Sequence, residues 1–167
     1  MISPQIYQLP GAAWQIMFST NVLSVFEKHR QTRARSSESV GQLFCADLTR
    51  DDVVVVEEAT ILRPVNASSH GVVFSTEQAN RERSEQFDRG LHCVGLWHSH
   101  PQSRPTPSSI DLQLAVEHAR AAQENLTGIL FVIVGTADFP DGLFVSVHDG
   151  TRLHAADSYT EPRLPSA

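Results

Sequence analysis

Residues 93 to 125 constrain the fold most, because three different kinds of segment follow one another there without a break. Cys93 to Trp97, CVGLW, is an apolar run of strand length. HSHPQSRPTPSS comes next, and its prolines and serines demand a loop. SSIDLQLAVEHARAAQEN then carries helix formers throughout and is the clearest helix of the chain. Strands and helices mixed in this way, with apolar runs of strand length, point to an α/β sheet covered by helices on both faces.

The rest of the chain extends the pattern. Trp14 to Phe18 reads as a strand, with Ser19 or Thr20 capping a helix whose Val22, Leu23, Val25 and Phe26 share a face and which ends near Arg30. ESVGQLFCA, the turn-like LTRDD and VVVVEEATI read as two antiparallel strands joined by a hairpin, and RPVNASSHG as a loop. Val72 to Phe74 is a short apolar run, after which Thr76 to Gly90 is expected to be an exposed helix or a mobile insertion. GILFVIVG and LFVSVHDG supply two strands around a turn at Phe139 to Gly142, and the tail from about Tyr159 is expected to fray. No repeat or linker divides the 167 residues, so one domain is expected, with its core over about 10 to 157.

Composition excludes several function classes. With 13 Lys and Arg against 19 Asp and Glu, the formal net charge of -6 disfavours nucleic acid as the main partner, since affinity there comes from clustered cations on phosphates. The basic run Lys28, Arg30, Arg33 and Arg35 reads as a solvated helix end suited to the helix dipole, with a docking patch for an acidic partner as the other reading. Two cysteines, Cys45 and Cys93, make no disulfide framework, point to a reducing compartment and read as buried thiols. No secretory signal opens the sequence and no run of about 18 apolar residues crosses it, so a cytoplasmic protein without membrane attachment is expected.

Chemistry concentrates in residues 98 to 111, HSHPQSRPTPSSID. In an extended segment residues i and i+2 point the same way, so His98 and His100 present two imidazoles to one point. Ser108 stands three residues before Asp111, the capping-box spacing, which sets Asp111 in the first turn of the following helix. Two imidazoles and one carboxylate leave one position of a tetrahedral Zn²⁺ open, the arrangement of a catalytic rather than a structural zinc. A general base is then needed, and Glu38, Glu57 and Glu58 are the upstream candidates; Glu38, at the start of the first hairpin strand, is preferred. The chance of His, His, Pro, Ser and Asp falling at this spacing by composition is on the order of 10⁻⁵ to 10⁻⁴, which sets the pattern apart from an isolated His-x-His.

This run resembles the JAMM motif, H-x-H-P-x₆-S-x₂-D, of the JAB1/MPN/Mov34 metalloprotease family, and every fixed position matches. ESVGQLF resembles the family's acidic residue and Gly-rich strand, with Val40 where a glycine is customary. The resemblance implies a cytidine-deaminase-like mixed, mostly antiparallel sheet with helices on both faces. It implies zinc held by His98, His100 and Asp111, Glu38 as base and proton donor, and Ser108 as the group that meets the oxyanion, alongside its reading as a helix cap. WHSHP and the compact size look more like the prokaryotic branch.

For that branch the resemblance implies a zinc isopeptidase or peptidase acting after the C-terminus of a ubiquitin-like protein, in conjugates or precursors, together with E1- and E2-like proteins in anti-phage islands of CBASS type. Sulfur-carrier maturation is the alternative, and a metal-free MPN binding scaffold is the alternative of another class. A DNA-repair role by analogy with RadC proteins lacks the preceding helix-hairpin-helix. Trp97 reads as a core residue beside the ligand strand or a substrate platform, and Thr76 to Gly90 as a lid, a substrate-gripping element or an exposed helix without a role. His29, His70, His92, His118, His148 and His154 share no ligand spacing with the motif and read as ordinary histidines; His118, seven residues after Asp111, at most faces the same side.

Overall fold

Alternation along one strand decides the layers. The structure, a computed structural model, describes residues 2–33, 35–68 and 71–160. In β8, His92–Ser99, Leu96 packs against Phe131, Ile133 and Ala115, while its neighbour Trp97 packs against Phe26. Ala115 belongs to α3, Ser109–Ala121, and Phe26 to α1, Thr20–Lys28, so the two helices cover opposite faces of the sheet. Successive strand residues point to opposite faces, and burying both sides of β8 requires a helix on each.

β8 runs parallel to β9, Ile129–Val134, and antiparallel to β3, Val40–Cys45. Every residue of ILFVIV in β9 is buried, the continuous apolar pattern of a strand covered on both faces. Nine strands form the main sheet. Its remaining members are β1 (Gln5–Gln8), β2 (Gln15–Phe18), β4 (Val53–Val56), β5 (Glu58–Ala59), β10 (Leu143–His148) and β11 (Leu153–Tyr159), in the order β4-β2-β1-β11-β10-β9-β8-β3-β5. Among the described residues, only β2 with β4 and β8 with β9 pair in parallel, so the sheet is mixed and mostly antiparallel. β4 and β5 lie at opposite ends of that order yet are separated in sequence by Glu57 alone, so the sheet curls until its two edges meet.

That curl corrects the expected hairpin. Of VVVVEEATI, Glu58–Ala59 pairs antiparallel with β3, while the four valines pair in parallel with β2. A run of valines without polar alternation suits such a strand, and the choice of β2 as partner is a long-range matter. β1 and β11 are two strands that the sequence reading missed; Tyr159, where fraying was expected to begin, pairs with Ile6, and residues 161–167 lie outside the described residues. RPVNASSHG, expected as a loop, instead contributes β6, Pro64–Ser68, which pairs with β7, Gly71–Phe74.

Thr76–Asp88 forms α2, capped by Ser75, on the α3 side of the sheet. Of its residues only Ala79 and Gln86 are buried, and Ala79 meets Val40 and Leu62. Its anchor is polar: Gln42 is fully buried and donates to Ala79 O (3.1 Å) and Glu82 Oε1 (2.8 Å), and its own Oε1 accepts from Arg83 Nε. Glu82 also accepts from Thr60 Oγ1. A buried amide with all its neighbours satisfied gives a polar helix a fixed seat without an apolar face.

Trp97 is a core residue, and its indole N–H donates to Thr60 O at 2.9 Å. Gly41 makes this possible, since a Cβ there would fall on Thr60 O and the indole nitrogen. Gly41→Ala is expected to lower the unfolding free energy by about 1–3 kcal/mol through overpacking. Urea denaturation should show a lower midpoint with an unchanged slope.

Candidate metal centre

The site starts where β8 ends. His100 lies one residue past the strand, yet its N–H still donates to Val134 O (2.8 Å), and Ser99 N–H donates to Ser39 O (2.9 Å). The extended register therefore continues, and His98 and His100 point to the same side. The intervening loop is held to the β9–β10 turn by Thr136 N–H to Gln102 O (2.9 Å) and Ala137 N–H to Ser103 O (3.1 Å). It delivers Ser108 to the N-cap of α3, where a full capping box forms. Ser108 Oγ accepts from Asp111 N–H at 3.1 Å, and Asp111 Oδ2 accepts from Ser108 N–H at 2.8 Å.

Three side chains converge there. His98 Nε2 lies 3.0 Å from His100 Nε2 and 3.0 Å from Asp111 Oδ1, and His100 Nε2 lies 3.3 Å from Asp111 Oδ2. Among the described residues this is the one group of His, Cys, Asp or Glu side chains placed to share a metal ion. Zinc bonds of about 2.0–2.1 Å at tetrahedral angles place ligand atoms about 3.3 Å apart, so the triangle has the size that zinc needs. Both histidines and the carboxylate are largely shielded, and the His98 ring is braced by Phe131 at 5.3 Å.

The electrostatics agree with the geometry. Burial would raise the Asp111 pKa, but bonds from His100, His98 and Ser108 N–H outweigh it and hold the carboxyl far below the usual carboxylate range. The His100 imidazole is pushed above its ordinary value, chiefly by its bond to Asp111 against the opposing effect of burial, with a smaller contribution from the charge of Glu38. A permanent anion beside two imidazoles is the donor set that a divalent cation takes.

Glu38 stands half-buried in the irregular segment before β3, not in the strand as expected, and close enough for its charge to act on His100. It is held there through its neighbour: Ser39 N–H donates to Ser99 Oγ at 2.8 Å. Ser99, the residue between the two histidines, was missed by sequence reasoning; its signal is a small polar residue in a buried strand, facing away from the ligands. Glu57 accepts from Ala46 N–H (3.0 Å) and Glu58 pairs with Arg89 (3.5 Å), so both are engaged elsewhere. His118 stacks on Phe74 (5.6 Å), His29 bonds Val25 O (2.8 Å), His92 packs on Phe87, and His154 pairs with Asp149; His70 lies outside the described residues.

The basic run is not simply a solvated helix end. Arg30 is 16% exposed and donates to Thr136 O (3.2 Å), Ala137 O (3.0 Å) and Asp138 Oδ1 (3.2 Å), on the turn that holds the metal loop. The cysteines also differ, for Cys45 is fully buried and Cys93 only half-buried.

Residues 20–147 match the family model described as prokaryotic homologs of the JAB domain. The fold resembles the solution structure of a protein from Salinibacter ruber at a TM-score of 0.52 and 20% identity, over 89% of this chain and 94% of that one. A protein from Desulfitobacterium hafniense, also solved in solution, aligns at 20% identity over 85% of this chain and 88% of that one, with a TM-score of 0.49. No curated protein matches the sequence. Among the described residues no helix is long and apolar enough to cross a membrane.

Zinc added to chelator-treated protein is expected to bind one ion per chain, and His98→Ala, His100→Ala or Asp111→Ala to abolish that tight site. Metal requires neutral imidazoles, and the raised His100 value means that protons compete from above its ordinary range of about 6.5. Affinity should therefore fall as pH falls, by about tenfold per unit for each imidazole that must lose its proton, as read by competition with a fluorescent chelator between pH 8 and 6.

Proposed function

The chain belongs to the prokaryotic JAB-domain family, and from that premise we propose that it is a zinc-dependent peptidase or isopeptidase. Its substrate is the amide bond that follows the C-terminus of a ubiquitin-like protein, in a conjugate or a precursor. One observation carries the reading: His98, His100 and Asp111 form a triangle of zinc-ligand size; Glu38, outside that set yet near enough for its charge to act on His100, supports it. A protein that only bound partners would need neither the donors nor the extra carboxylate.

Zinc held by these three side chains would supply Lewis acidity, which polarises an amide carbonyl and makes water acidic near neutral pH. Glu38 takes the proton that water loses as it adds to the carbonyl carbon, then returns it to the departing amine as the C–N bond breaks. Ser108 uses a lone pair to accept from Asp111 N–H, which leaves its hydroxyl proton free to donate to the oxyanion. Capping and catalysis are therefore compatible in one side chain.

The biological setting proposed is a bacterial ubiquitin-like conjugation pathway with E1- and E2-like partners, linked to anti-phage defence. Glu38→Ala is expected to keep zinc and lose turnover by about 10²–10⁴-fold. Ser108→Ala should cost about 1 kcal/mol of helix capping but slow turnover by about 10²–10³-fold, more than the lost stability explains. Mass spectrometry of host cells carrying wild type or Glu38→Ala tests the substrate class. Small-protein C-termini joined to lysines in the mutant establish a deconjugase, and extended precursors alone establish a maturase of the sulfur-carrier type. Identical proteomes, with a Glu38→Ala protein that still performs its cellular role, would refute the enzyme and leave a binding scaffold.

A further inference from the structure

A cavity of about 550 Å³ opens between α2 and α3, on the same sheet face as the metal centre but at the other end of β8. Cys93, which lines it, and His98 are five residues apart on one strand, about 16 Å at 3.3 Å per residue. The volume lies in the range of small-molecule sites. Leu91, Leu96 and Ile129 give it apolar walls, while Phe87 and Leu48, also lining it, are 64% and 42% exposed, two of the large apolar side chains that this protein leaves in water.

Among the described residues, Arg83 is the one permanently charged group that lines this cavity. Arg83 donates its Nε to the buried Gln42 amide, which is itself fixed by Ala79 O and Glu82, so the guanidinium is aimed before any ligand arrives. The neighbouring arginines of α2 and its C-cap, Arg81 and Arg89, pair with Glu77 and Glu58, whereas no carboxylate pairs with Arg83 among the described residues. Glu82 is the nearest acid along the helix, and its carboxylate is turned to Thr60 and Gln42. His92, His118 and Asn125 also line it, and burial, then the charge of Arg83, lowers the His118 pKa from its ordinary value. A preset guanidinium with no carboxylate partner among the described residues, set beside the Cys93 thiol, is a receptor for a ligand carboxylate. A single cation among largely apolar walls balances one negative charge on an apolar body rather than the two of a phosphate dianion.

We infer that this cavity is a second ligand site that takes an aliphatic monocarboxylate, its carboxylate on Arg83 and its chain against Leu91, Leu96 and Ile129. The inference stands apart from the peptidase reading, since none of these residues touches the metal centre.

Cys93 is a built-in reporter, because its thiol lines the cavity while Cys45 is fully buried. Zinc-loaded full-length protein is treated with iodoacetamide, and alkylation of Cys93 is followed by peptide mass spectrometry with octanoate, below its micellar concentration, or with 1-octanol. Octanoate is expected to slow alkylation at least tenfold in a saturable way. Octanol should fail over the same range, Arg83→Gln should need at least tenfold more octanoate, and Arg83→Lys should keep part of the protection. The wild-type comparison of octanoate with octanol requires no variant to fold. No protection by octanoate, or equal protection by octanol, would overturn the proposal.

Discussion

The capping box between Ser108 and Asp111 is the interaction on which the site and its helix both depend. Ser108 N–H binds Asp111 Oδ2 at 2.8 Å, which turns the other carboxylate oxygen, Oδ1, toward His98 at 3.0 Å. The same pair satisfies two backbone donors that the first turn of α3 would otherwise leave without partners. A carboxylate near a helix N-terminus is also favoured by the helix dipole, so local secondary structure and ligand placement reinforce each other. Removing either side chain would loosen the start of α3 as well as the triangle of His98, His100 and Asp111.

How much of this was legible in the sequence depended on the range of the interaction. β8, the loop and α3 are readable because their determinants are local: alternation fixes His98 and His100, and a three-residue spacing fixes Ser108 and Asp111. Glu38 is placed by a contact 60 residues away, Ser39 N–H to Ser99 Oγ, and no local pattern reports it. The valines of β4 show the same limit, since their character announces a strand but not that its partner is β2. β11 escaped notice because LHAADSY has no fully buried residue, ends in exposed ones and lacks the apolar weight of β9.

α2 obeys a different rule from the other helices. α1 seats Val22, Leu23 and Phe26 in the core, whereas α2 buries Ala79 and Gln86 and is located by one glutamine of the sheet. A polar sequence such as TEQANRERSEQFD is therefore compatible with a fixed helix, provided that the sheet offers a buried partner for it. Gln42 is that partner, and its position on β3, one residue from Gly41, lets a single short segment serve both faces: Gly41 yields to Trp97 on the α1 side while Gln42 holds α2 on the other.

Arg30 shows why composition alone misreads a charge. It occurs in a basic run past a helix end, where a solvated cation is the ordinary expectation, yet it is 16% exposed and reaches two carbonyls and Asp138 on the β9–β10 turn. Those carbonyls belong to Thr136 and Ala137, whose N–H groups hold Gln102 and Ser103 of the loop between His100 and Ser108. Several acceptors around one planar group favour a guanidinium over an ammonium, because its donors are fixed in a fork. The loop from His100 to Ser108 is thus braced from outside through a chain of backbone hydrogen bonds. That brace supplies what a proline-rich loop lacks by itself, a fixed distance between the strand end that carries His98 and His100 and the helix that carries Asp111.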